Sequence, residues 1–134
     1  VIGLADIERY VGLRHCERTH DCADLAMEIA AGLFGKSLAL PQGRPRPQAR
    51  HAVCSALGVA VDDLARRTDT PQDGDLVLML DHGQSVPGHV GTYFWLSHEA
   101  WVLHTTHVIG FSCLQRVRQL PELGLRVEGF YRWK

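Results

Sequence analysis

The apolar residues of this chain change period once. In the first part they recur every three or four positions, the spacing of one helix face. From about residue 75 they alternate, or run together in short blocks, as strands do. Ile7, Tyr10 and Val11 predict a short helix to about Tyr10, broken by Gly12. Asp21 is a favoured N-cap, and Leu25, Ile29 and Leu33 follow at i, i+4 and i+8. The spacing predicts a buried amphipathic helix over Cys22–Phe34, stopped at Gly35. A second helix is predicted over Ala49–Leu57 and a short turn around Asp62–Arg66. Thr70-Pro71-Gln72-Asp73-Gly74 is turn chemistry. Strands are predicted over Asp75–Leu80, His89–Trp95, Trp101–Thr106 and Arg126–Trp133, while Leu114–Leu120 fits either a helix or a strand. Helices first and strands later define an α+β chain, with N-terminal helices packed on a mostly antiparallel sheet.

At 134 residues the chain is read as one domain, 1–134. Lys and Arg total 14 against 15 Asp and Glu. That balance disfavours a nucleic-acid partner, which calls for a basic excess. No apolar run reaches the roughly 18–20 residues of a membrane span, so no membrane insertion is expected. No signal-peptide pattern opens the sequence, which leaves localisation unassigned. The one strongly biased stretch, Pro41–Arg50, has three prolines and three arginines and reads as an exposed basic loop.

Eight histidines and four cysteines, Cys16, Cys22, Cys54 and Cys113, are the chemically informative minority. Cys22 falls in the first turn of the 22–34 helix. A helix N-terminus carries partial positive charge, which favours a thiolate and offers N–H donors to an oxyanion beside the sulfur. With a histidine partner the thiol pKa can fall from about 8.5 to ~3.5–7.5. A nucleophile needs a base, and the base needs an orienting group. His89 and His104 begin and occupy neighbouring predicted strands, and antiparallel pairing brings such positions together. His107 is the rival for the third role. His15, His20, Cys16 and Cys22 amount to half a zinc site, but no compact Cys-x₂-Cys pair is present, so no metal is expected. A Cys16–Cys22 disulfide is a second alternative for that cluster. Cys54 and Cys113 read as packing residues, and His51, His82 and His98 as surface or loop residues.

Four local strings sharpen this reading. His20-Asp21-Cys22-Ala23-Asp24-Leu25 resembles the Asp-Cys-Ser-Gly-Leu nucleophile motif of the NlpC family of cell-wall cysteine peptidases. Asp73-Gly74-Asp75-Leu76-Val77 resembles that family's Gly-Asp-Leu strand start. His89-Val90-Gly91-Thr92-Tyr93 is similar to its His-Val-Gly-Ile-Tyr strand, and Val102-Leu103-His104 to its Val-Ile-His string. All four occur in the family's order, over about residues 7–117.

The resemblance implies a papain-like fold in which Cys22 is the nucleophile, His89 the base and His104 the residue orienting His89, with no cofactor. It implies hydrolysis of amide bonds in peptidoglycan stem peptides, typically between D-glutamate and a diamino acid, through a thioester. The compact form looks most like phage or prophage tail-associated members, so phage-tail or secretion-apparatus proteins are candidate partners. Three departures mark the chain, one of them a shortening of the Gly-rich segment that normally precedes the cysteine. Ala23-Asp24 replaces the family's Ser-Gly, and Leu13-Arg14-His15 stands where the family has Pro-Tyr. His15, Asp21 and Asp24, which flank the nucleophile in this resemblance, are the candidate substrate-binding residues. A catalytically weak structural component, or a protein-modifying deamidase or acyltransferase toxin, are the alternatives.

Overall fold

The structure is a computed structural model that describes residues 2–16, 19–36, 61, 64–81, 83–85 and 88–134. The predicted basic loop Pro41–Arg50 and the predicted helix Ala49–Leu57, with Cys54 and His51, lie outside the described residues, as does His82.

The described elements are α1 (Leu4–Ile7), a 3₁₀ turn (Glu8–Tyr10) and α2 (Cys22–Phe34), then β1 (Ala65–Thr68), β2 (Leu76–Leu80), β3 (His89–Leu96), β4 (Glu99–Thr105) and β5 (Ser112–Arg116). A 3₁₀ segment (Val117–Leu123) and β6 (Arg126–Trp133) complete them. The strands form one sheet in the order β1-β6-β2-β3-β4-β5, and every neighbouring pair is antiparallel. The α+β class read from the sequence is the class observed.

The α2 helix has the bounds its pattern predicts. Asp21 Oδ1 accepts the N–H groups of Ala23 and Asp24, both at 3.1 Å, and Asp24 Oδ2 accepts the Asp21 N–H at 2.9 Å. This reciprocal capping box satisfies donors that the first turn leaves orphaned. Gly35 ends the helix at φ 65°, a left-handed conformation that a Cβ disfavours.

The buried stripe of α2 meets one face of the sheet. Ala23 and Ala26 pack with Leu76, Leu78, Val90 and Tyr131, and Leu25 and Ile29 pack with Phe94, Leu103, Ile7 and Tyr10. Burying each such Leu or Ile contributes about 1.5–3 kcal/mol. The alternate residues Val77, Met79, Tyr93 and Val102 pack on the other face, under Leu120 and Leu125. Strand alternation thus divides the core between α2 and the 3₁₀ segment.

Three expectations change. Residues 65–68, the first two of which fall in the turn expected around Asp62–Arg66, form the edge strand β1, paired with β6 through Ala65↔Trp133 and Thr68↔Phe130. Only Ala65 is buried in it, so no apolar alternation marked it, and Arg66 and Arg67 face solvent as edge-strand charges do. The segment Leu114–Leu120 is strand first and 3₁₀ afterwards. The third predicted strand starts two residues early, at Glu99, because Ser97 and His98 make a two-residue hairpin with φ of 52° and 63°. Such turns normally advertise themselves with Asn or Gly, and neither is present here.

Candidate active site

The site forms at one end of the sheet, where β3 begins, β4 ends and the N-terminus of α2 arrives. His89 opens β3 and is buried. His104 lies near the end of β4 and is fully buried. The β3–β4 register, Thr92↔Leu103, sets Gly91 across from His104, and a Cβ placed on Gly91 would stand 3.1 Å from the His104 Cβ. Glycine lets the strands carry the two imidazoles close together. His89 Nε2 is 2.7 Å from His104 Nδ1, with the rings edge-on at 70°. His104 Nε2 is 2.6 Å from Gln115 Oε1 on β5. The relay therefore runs across three adjacent strands.

Burial is the main cause that pushes His89 well below the usual histidine value, and the charges of His104, His15 and His107 act the same way. Asp21 opposes them, so the carboxylate beside Cys22 acts electrostatically on His89. Burial also lowers His104, partly offset by its bond to Gln115. Neutral imidazoles are thus the resting form at neutral pH.

Cys22 occupies the first position of α2, half-buried, and packs against the cluster containing Ala26, Leu78 and Val90. Cys16, Cys22 and Cys113 carry thiols rather than a disulfide. Burial raises the Cys113 thiol, in keeping with a packing role. Among the described residues no three His, Cys, Asp or Glu side chains converge on a metal position.

The remaining candidates surround this pair. His15 Nδ1 lies 3.0 Å from Thr105 Oγ1, next to His104 in sequence, and the His15 N–H donates to Gly110 O at 2.9 Å. The segment bearing His15 is thereby tied to the 106–110 turn, which carries His107. His107 acts on His89 by charge, whereas His104 is the residue in hydrogen-bond contact with it. Asp21 and Asp24 are engaged in the capping box, with Asp21 buried. One sequence inference is altered by this: the Ala23 and Asp24 N–H groups already donate to Asp21 Oδ1 and are not open donors for an oxyanion. Gln115 and Thr105 were missed by sequence reasoning. The only available signal was a polar residue in a half-buried strand, and its partner depends on the β4–β5 register.

No family model, curated protein or solved structure matches the chain.

Proposed function

We propose that this chain is a papain-like cysteine peptidase of the NlpC type, acting on amide bonds of peptidoglycan stem peptides. The observation that carries the reading is the 2.7 Å contact between His89 Nε2 and His104 Nδ1, at the sheet end where Cys22 begins α2. With Nε2 turned to His104, the other ring nitrogen of His89 serves the thiol. Neutral His89 takes the Cys22 proton as the sulfur attacks the carbonyl carbon, and the imidazolium that results returns a proton to the departing amine. A thioester remains on Cys22. Water, deprotonated by His89, attacks it and releases the carboxylate and the thiol. The depressed basicity of His89 favours this general-base route over a preformed thiolate–imidazolium pair.

The test is digestion of purified muropeptides, followed by mass spectrometry. New amino termini from the parent, and none from Cys22→Ala, support the reading. Equal digestion by parent and Cys22→Ala overturns it. Altered side-chain amides without new termini would point instead to a deamidase or acyltransferase.

One observation favours a second reading, a structural component of a phage tail or secretion apparatus with weak catalysis. The first-turn donors of Ala23 and Asp24 are already occupied by Asp21, which limits oxyanion stabilisation from the helix. Stable co-purification with such proteins, with no hydrolysis of any wall fragment, would select it.

A further inference from the structure

We propose that Gln115 is a positioning residue that sets the tautomer of His89 through His104; the catalytic meaning of that tautomer rests on the peptidase reading above. The chain of contacts has a direction. Gln115 Oε1 is an amide carbonyl oxygen and can only accept a hydrogen bond. At 2.6 Å it takes the proton on His104 Nε2. A neutral imidazole carries one N–H, so His104 Nδ1 is then a lone pair. That lone pair, 2.7 Å from His89 Nε2, must accept, which places the His89 proton on Nε2. The nitrogen left without a proton is Nδ1, the atom a base needs to receive the thiol proton.

The alternative polarity is chemically real. A lone imidazole pair has no reason to prefer one direction of donation. Reversed, His104 would donate from Nδ1 to His89 Nε2, and His89 would carry its proton on Nδ1, where it blocks the base. Both rings are buried, so water does not stand in for a missing partner at low cost. With Oε1 rather than the donor Nε2 turned to His104, Gln115 breaks the tie, and the fold supplies the means. The β4–β5 register pairs Val102 with Gln115 and His104 with Cys113, so Gln115 shares the face of His104 and reaches it diagonally. Cys113 itself, directly opposite, is a poor acceptor for this bond.

The experiment compares Gln115→Leu and Gln115→Met with the parent by two readouts. One is the His89 tautomer, from imidazole ¹⁵N shifts at neutral pH. The other is the alkylation rate at Cys22 with iodoacetamide, resolved by mass spectrometry. The parent should hold the His89 proton on Nε2. Gln115→Leu removes the acceptor, so the Nδ1-protonated fraction should grow and alkylation should slow by about tenfold or more, the lower end of what outer partners of functional imidazoles contribute. Gln115→Met, close to glutamine in volume, also lacks the amide acceptor and should shift the tautomer in the same direction. An unchanged His89 tautomer in folded Gln115→Leu overturns the proposal. If that variant does not fold, Gln115→Met decides alone: an unchanged His89 tautomer there overturns the proposal, and a larger Nδ1-protonated fraction supports it. A parent that cleaves no muropeptide, together with the expected tautomer shift in Gln115→Leu, would sink the peptidase reading and support the role of Gln115.

Discussion

Gly91 on β3 faces His104 on β4 so closely that a Cβ would sit 3.1 Å from the His104 Cβ and 2.5 Å from Val102 Cγ2. The fully buried Val102 and His104 have no room to withdraw. The missing side chain at 91 is thus a condition for the contact between His89 and His104.

Gly91→Ala should therefore cost about 1–3 kcal/mol, the range for overpacking a close-packed core. It should also slow alkylation of Cys22, because the separation of β3 and β4 sets the reach of His89 to His104. Urea unfolding and a thiol-alkylation time course measure the two effects. Parental values in both would refute the close-approach argument.

His104 and His107 should separate cleanly. His104→Ala removes the hydrogen-bond partner of His89, and hydrolysis should drop by at least the roughly 10²-fold at the low end of acid–base contributions. The charge of His107 is the smallest of the influences on His89, so His107→Ala should remain within a few-fold of the parent. Muropeptide turnover at neutral pH distinguishes them, and a larger loss in His107→Ala would reverse the roles.

Asp21 has two effects that different substitutions should divide. Asp21→Ala loses the N-cap and should cost about 0.5–2 kcal/mol, read from thermal or urea unfolding. Asp21→Asn keeps a cap acceptor, so stability should stay close to the parent's. It removes a negative charge beside Cys22, which should lower the thiol pKa and raise alkylation below neutral pH. It also removes the influence that raises His89, so the acid limb of a rate profile should move to lower pH. No movement of the thiol titration in Asp21→Asn would mean that the carboxylate acts only as a cap.

Burial holds both His89 and His104 below their ordinary value of 6.5. As pH falls through that value the unfolded chain takes up protons that the folded chain refuses. Their effect on stability is therefore most favourable above about pH 7 and is lost progressively below 6.5, down to the folded values. The urea-unfolding free energy should fall by on the order of 1 kcal/mol or more between about pH 7.5 and 5.5. Glu99, lowered by its bonds to Arg118 and Arg116, weakens only below its ordinary 4.5, outside that window. A His89→Gln/His104→Gln variant should flatten the decline. An equally steep fall in it would place the titration elsewhere.

Much of the architecture was legible before any coordinates, and the legible part is local. The limits of α2 follow from Asp21, the 3.6-residue apolar stripe and Gly35, all within fifteen residues of one another. The buried blocks at β2 and β3 announced themselves by period. The edge strand β1 did not: it buries only Ala65, and its two arginines look like any solvated segment. The Ser97-His98 hairpin was hidden as well, since it carries neither Gly nor Asn and its place is fixed by the strand pairing on either side.

By itself, the sequence determined the class of fold, the position of Cys22 at a helix start, and two histidines on neighbouring strands. Tertiary structure alone decided that His104 hydrogen-bonds His89, that Gln115 completes the relay, and that the last strand slots between β1 and β2. It also committed the Ala23 and Asp24 donors to Asp21. The physical reason is distance along the chain. Caps and periodicity are settled among neighbours a few residues apart, whereas a pairing register is settled between strands brought together only when the whole core is buried.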